Sequence, residues 1–307
     1  MAGNIKNIIT SSAVALAATL SVGEMANADS TSLSATDFIK VRCNPTGSPT
    51  FTHWHGTVTT SGPGGDNPQV LFKISGFNVA RCYADDAQNW TVASRELSFF
   101  LDPVSGDVLN SWTQPWSQES LPVVHIANAL VQQKIPAVAR IPVESLGDTS
   151  IARVDVPLNY PNPLASDARF ADYSPEPFYK AHESFSYIFS KMDFENIAQL
   201  NSVENVQVSW TRVSPWLPWM KMKGAPGYLV FNAIVQRVGS FSELPTLIKD
   251  QIGQGLDLFL DAPHCVVAGK ANVSSWTYFK KNIDAYLNGS RFPLAAPANL
   301  SLGECAQ

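Results

Sequence analysis

The sequence predicts a mainly β protein, an antiparallel β-barrel or strongly curved sheet with a few peripheral helices. Three observations carry that expectation. From Phe51 to Leu130, run after run alternates β-branched or aromatic residues with polar ones at period two. Each run is bounded by Gly, Pro, Asn or Asp in turn-forming order. Helical apolar spacing is confined to late segments. Curling a many-stranded sheet removes its exposed edges, which favours a barrel over its main rival, a two-sheet sandwich.

Residues 1–28 read as a secretory signal. Lys6 precedes an apolar run from Ile8 to Val22, and the small residues Ala26-Asn27-Ala28 suit signal peptidase. The run is too short for a membrane span of about 20 residues. Residues 29–307 are then expected to form a single β-barrel-like domain in the secretory lumen or outside the cell. Lys6 and Glu24 leave together, so the net charge of −5 stays. A mildly acidic chain with no Lys/Arg cluster argues against nucleic acid or an anionic membrane as partner.

Four cysteines, Cys43, Cys82, Cys265 and Cys305, in an oxidising compartment predict disulfides. Of the three pairings, Cys43–Cys82 and Cys265–Cys305 are favoured, since each joins sequence neighbours and ties down a terminus. Asn89, Asn272, Asn288 and Asn299 each open an N-x-S/T sequon, so glycosylation is expected in a eukaryotic host.

The strand signals run over 51–59, 69–82 and 90–101. The turn Asp102-Pro-Val-Ser-Gly-Asp107 predicts a hairpin pairing 90–101 with 107–113. The proline-rich stretch 136–177 reads as one long excursion. Strand signals resume at 183–191, 206–213 and 227–238, and helices are expected at 243–254 and 275–287.

Nucleophile-elbow, Walker, dinucleotide-binding, zincin and c-type haem signatures are missing. His53 and His55 share a strand face at a spacing that suits metal ligation, but no third ligand is identifiable, so no metal or other cofactor is expected. The segment Ser209–Met222 concentrates three Trp, two Pro, Arg212 and Lys221 in 14 residues. Such density is costly on a plain surface. It reads either as a core corner or as an aromatic wall, Trp216 and Trp219, beside a cation, suited to a small apolar or aromatic ligand. Asn78 and one of Arg95 or Glu96 could project into a barrel; Arg95 and Glu96 are adjacent and face opposite ways. His125 lies alone in an apolar strand, as a core histidine or a proton carrier.

The motifs Arg212-Val-Ser-Pro-Trp-Leu-Pro-Trp-Met-Lys-Met222, Gly227-Tyr-Leu-Val, Gly76-Phe-Asn-Val-Ala-Arg81, Leu101-Asp-Pro-Val-Ser-Gly106 and Trp112-Thr-Gln-Pro-Trp116 resemble a bacterial and fungal family, domain of unknown function 1838, over about residues 37–265. The secreted form is similar to fungal members from natural-product clusters. That implies similarity to the hetero-Diels-Alderases of tropolone sesquiterpene biosynthesis, with a looser likeness to alkene-cleaving oxygenases. The reading that follows is a cofactor-independent enzyme promoting cyclisation or cycloaddition of apolar unsaturated molecules. Trp54, Trp216 and Trp219 would stack the ligand, and Asn78 and Arg95 would complete its site. Arg212 or Lys221 would donate to a carbonyl, and His125 would move a proton. A metal- or haem-dependent alkene oxygenase and a lipocalin-like carrier are the alternatives.

Overall fold

The computed structural model describes residues 32–63, 67–174 and 176–295. Ten strands form one antiparallel sheet curled into a half-barrel. The described residues begin with β1 (Ser32–Ser34) and α1 (Ala35–Arg42), followed by β2 (Thr50–Thr60), β3 (Gln69–Ala84) and β4 (Trp90–Leu101). Next come β5 (Ser111–Thr113), β6 (Ser120–Pro122), β7 (Ile126–Ile135), β8 (Arg140–Leu146) and β9 (Thr149–Pro161). The rest is β10 (Phe178–Ser190), α2 (Lys191–Glu195), β11 (Gln207–Ser214), β12 (Leu229–Val238), α3 (Thr246–Ile252), α4 (Ser275–Lys281) and α5 (Ile283–Leu287). Sheet order is β1-β8-β9-β10-β11-β12-β2-β3-β4-β7, with β5 and β6 as a separate small hairpin.

The alternation behind the strand predictions sorts side chains onto two faces. Ala80, Cys82 and Val92 of β3 and β4 pack with Ala152, Val154, Tyr187 and Phe189 of β9 and β10. Those strand pairs are separated by β11, β12 and β2 in the sheet, so they meet only across its concave side. Helix α1 plugs that end through Phe38, Ile39 and Val41. Ser34 starts the helix by accepting the Asp37 N–H at 3.1 Å. The other end of the concave face is filled by Phe72, Phe100, Trp112, Trp219, Phe279 and Tyr286. On the convex face Phe51, Phe77, Leu97 and Phe99 lie under α3 and the turn at Asp257–Leu260.

Three predicted elements need correction. The Asp102–Asp107 turn forms, with the Gly106 N–H donating to Asp102 at 3.0 Å, but it yields only a bridge between Leu101 and Val108. The long partner of β4 is β7, whose register runs from Trp90↔Ile135 to Ser98↔Ile126. The stretch 136–177 is not one excursion, because Ile141, Val143, Val154 and Val156 alternate with polar residues and build β8 and β9. Pro157 is accommodated there since β8 pairs only with residues 149–152 of β9, and no other strand among the described residues pairs with the edge beyond. The helix expected at 275–287 is broken at Asn282 into α4 and α5.

Cys43 and Cys82 are bonded, with Cα atoms 6.2 Å apart, and this fastens α1 to β3. Cys265 is also disulfide-bonded. Its expected partner Cys305 lies outside the described residues, as do Asn299 and the signal segment. Asn272 and Asn288 stand exposed, and the half-buried Asn89 caps a turn by binding the Asp85 carboxylate. Closing the 39-residue separation of Cys43 and Cys82 removes entropy from the unfolded chain. That should contribute roughly 3 to 4 kcal/mol. Reductant is therefore expected to lower the melting temperature clearly; an unchanged midpoint would refute that contribution.

Candidate functional site

Between the two concave cores the inward-facing side chains keep accessible surface. Trp54, Glu96, Ile126, Asn128, Val156, Leu158, Tyr160, Glu183, Phe185, Trp210 and Arg212 are all only half-buried. Register explains their convergence: Glu183 pairs with Arg212 and Val156, and Phe185 with Trp210 and Val154. On the opposite wall Asn78 pairs with Glu96, and Glu96 with Asn128. The result is a hollow with aromatic sides and two polar poles.

Arg212 centres the first pole. Its Nη1 donates to Glu183 Oε1 at 3.1 Å and its Nη2 donates to the Tyr179 hydroxyl. The guanidinium also lies 5.9 Å from the ring centroids of Tyr179 and Phe231. The Arg212 and Glu183 side chains retain 21 % and 18 % accessibility, so the pair is enclosed without being sealed. Burial works against the Arg212 charge, but Tyr179 and Glu183 outweigh it and hold its pKa above the ordinary value. Burial pushes the Glu183 carboxyl upward; Arg212 opposes this and Glu96, across the hollow, adds to it. Three buried donors here have no partner among the described residues: Arg212 Nε, Trp210 Nε1 and Trp276 Nε1.

Glu96 centres the second pole, clamped by the Nδ2 groups of Asn78 and Asn128, each at 3.0 Å. Beside it the Trp54 ring packs against Gly76 and donates its indole N–H to Ser98 Oγ at 3.2 Å. Glycine is required beneath the ring, because a Cβ at position 76 would stand 2.5 Å from it.

Of the expected site residues, Arg212, Trp54 and Asn78 thus share the concave face. Trp216 lies next door, lining a cleft of about 210 Å³ with Tyr173, Tyr179 and Trp276. It is a packed residue, 7 % exposed, whose Nε1 donates to the Ala225 carbonyl at 3.1 Å and whose ring leaves no room for a Cβ at Gly227 (φ +117°). The others are elsewhere. Trp219 is buried core beside Phe72, Phe100 and Trp112. Lys221 caps a short helical turn at φ 51° and pairs with Glu119 at 2.7 Å on the rim. Arg95 points to the convex side and holds the Leu258 carbonyl at 2.9 Å, so Glu96 is the member of that adjacent pair that faces inward.

His125 is a core histidine. Its Nδ1 accepts the Phe100 N–H at 3.0 Å, its ring stacks on Phe100, and burial lowers its pKa to about 3. His53 and His55 project from the convex face, stacked 6.0 Å apart; burial and then His55 lower His53 to about 4. Among the described residues no group of three or more His, Cys, Asp or Glu is placed to hold a metal ion. Both lowered histidines are neutral when folded and take up protons when unfolded, so stability falls as pH drops below the ordinary value of 6.5. His125 alone should cost about 1.4 kcal/mol per pH unit. Denaturation midpoints that do not change between pH 6.5 and 4 would contradict this.

Sequence reasoning missed Glu183, Asn128, Tyr160, Tyr179, Phe185 and Trp276. The available signal was a carboxylate at an inward position of the strand Phe178–Ser190, in phase with Phe185 and Tyr187.

Fold and site together define a class: an antiparallel half-barrel whose concave face carries an enclosed Arg–Glu pair among aromatic rings. The family model described as Protein of unknown function (DUF1838) matches residues 47–283, and the chain belongs to that family. No curated protein matches it. No helix among the described residues is long and apolar enough to cross a membrane.

Proposed function

We propose that the protein is a secreted, cofactor-independent enzyme that binds apolar unsaturated molecules in the hollow and promotes their cyclisation or cycloaddition. The hetero-Diels-Alder type suggested by the sequence resemblance, in tropolone sesquiterpenoid biosynthesis, is the form we favour. The observation that carries this reading is the Arg212 guanidinium, whose side chain keeps 21 % accessibility among half-buried aromatic walls. Apolar, concave surface with a few convergent polar groups is the usual form of a small-molecule site.

In such a reaction an electron-poor α,β-unsaturated carbonyl adds to an alkene; one C–C and one C–O bond form and no atom leaves. Holding both partners at bonding distance can supply ~7 kcal/mol or more. A hydrogen bond from Arg212 to the carbonyl oxygen withdraws electron density and stabilises the charge that builds there. Trp54, Trp210 and Phe185 offer flat surfaces for the unsaturated partners. Glu183 beside Arg212, rather than His125, is suited to carry a proton if the carbonyl partner must first be generated by loss of water.

The test is to supply purified protein with an electron-poor enone and a polyene while following tryptophan fluorescence and product. The expected outcome is quenching together with adduct forming faster than it does spontaneously and enriched in one enantiomer. Quenching by both compounds with racemic product at the spontaneous rate would overturn the enzyme reading and leave a carrier.

A further inference from the structure

The cleft beside Trp216 is distinct from the hollow and has a lining of another kind. Five of the residues around it are aromatic: Tyr173, Phe178, Tyr179, Trp216 and Trp276. Its volume of about 210 Å³ suits a small group. A drug-sized molecule needs about 300–1,000 Å³. Glu176 stands exposed at the same cleft, and no Lys, Arg or His is among the described residues that line it.

The segment carrying Glu176 is fixed by Asn162, whose Nδ2 donates to Ser174 Oγ at 2.7 Å and to the Glu176 carbonyl at 2.8 Å. Three cations adjoin the lining: Arg212 bonds Tyr179, Lys221 lies 6.0 Å from the Tyr173 ring centroid, and Lys223 follows Met222. Each has an acid of its own, Glu183, Glu119 and Asp172 respectively. Glu176 has no basic partner among the described residues. The cleft therefore combines aromatic rings with one uncompensated negative charge.

Aromatic faces attract cations through the ring quadrupole, and a carboxylate beside them favours a positive ligand. Which cation follows from the acceptors. Ser174 Oγ and the Glu176 carbonyl already take the Asn162 amide, and the Ala225 carbonyl takes the Trp216 indole. A primary ammonium brings three N–H donors that would compete for these engaged atoms. A fully methylated ammonium brings none, and presents methyl groups to the rings instead.

We propose that this cleft binds a trimethylammonium group among Tyr173, Trp216 and Trp276, with Glu176 balancing its charge. The proposal is independent of the hollow and of any reaction there.

The test compares choline with 3,3-dimethylbutan-1-ol, which has the same shape without the charge, by calorimetry on the mature protein. Choline should bind at least about tenfold more tightly than the alcohol, equivalent to about 1.4 kcal/mol, and more tightly than ethanolamine, its primary ammonium counterpart. Glu176→Gln and Tyr173→Leu should each weaken choline about twofold to fivefold. Tyr173 is half-buried, so its unfolding midpoint is read alongside; Glu176 is exposed, and its variant decides the matter if the other does not fold. Trp210→Leu, in the hollow, should leave choline affinity unchanged. Sedimentation with phosphatidylcholine vesicles but not with phosphatidylglycerol vesicles would show that a lipid headgroup carries the cation. Choline binding without sedimentation would show a free small molecule, and either result supports the site. Equal binding of choline and the alcohol, tighter binding of ethanolamine, no choline binding at millimolar concentration, or full affinity in Glu176→Gln would overturn the proposal. Loss of choline binding in Trp210→Leu would overturn it too, by moving the cation to the hollow.

Discussion

Arg212→Met should lower turnover per folded molecule at least about tenfold, equal to about 1.4 kcal/mol of transition-state stabilisation. The side chain supplies the cation of the hollow's first pole and an Nε with no partner among the described residues, and methionine keeps much of the aliphatic stem without either. The substitution also removes the partner of Glu183 and the donor to Tyr179, so some loss of stability is expected. Breaking a fully buried pair costs about 3–5 kcal/mol; the residual accessibility of this one lets water or a proton relieve part of that. Arg212→Lys separates the two effects. It keeps the charge opposite Glu183 and should recover most of the stability, yet it lacks the planar fork and the Nε donor and should stay slow. Urea unfolding and initial rates, measured on the same preparations, decide the matter. Wild-type specific activity in both variants would remove Arg212 from the chemistry.

What could be read from the sequence followed from what repeats locally. Period-two alternation located β2, β3, β4, β10, β11 and β12, because an inward apolar residue at every second position is required wherever one face is buried. The adjacency of Arg95 and Glu96 correctly implied that only one could face inward, but not which. That choice depends on register with Asn78 and Asn128, which no local pattern encodes. The pairing of Glu183 with Arg212 spans 29 residues and depends on strand partners in the same way. The proline-rich middle misled for a different reason. Proline weakens a strand prediction everywhere, whereas in the fold it is costly only where both edges are paired, and Pro157 sits where one edge has no strand partner among the described residues. The tryptophan-rich segment was ambiguous because density alone does not separate a wall from a core. Trp210, on β11 and in phase with Arg212, faces the hollow, while Trp219 follows the strand's end and turns into packing.

Trp219→Ala should accordingly cost about 3–5 kcal/mol of stability and leave the activity of the remaining folded molecules unchanged. The ring is 2 % exposed, with centroids 5.8 Å from both Phe100 and Trp112 and 6.0 Å from Phe72. Its removal leaves a void among rigid aromatic neighbours that have little freedom to close it. None of those neighbours belongs to the lining of the hollow, so the ligand surfaces at Trp54, Trp210 and Arg212 keep their supports. Trp210→Leu should behave in the opposite sense. Trp210 is half-buried, with ring centroids 6.5 Å from Phe185 and 5.9 Å from Phe231, and its Nε1 has no partner among the described residues, so its loss should move the unfolding midpoint far less than that of Trp219. Quenching by an aromatic ligand should fall with it. The two substitutions therefore form a crossed test, with unfolding midpoint and ligand affinity read on each. A Trp219 variant that folds as stably as wild type but no longer binds would move the site from the hollow to the tryptophan-rich corner. A Trp210 variant with full affinity would remove the aromatic wall on which the ligand is proposed to rest.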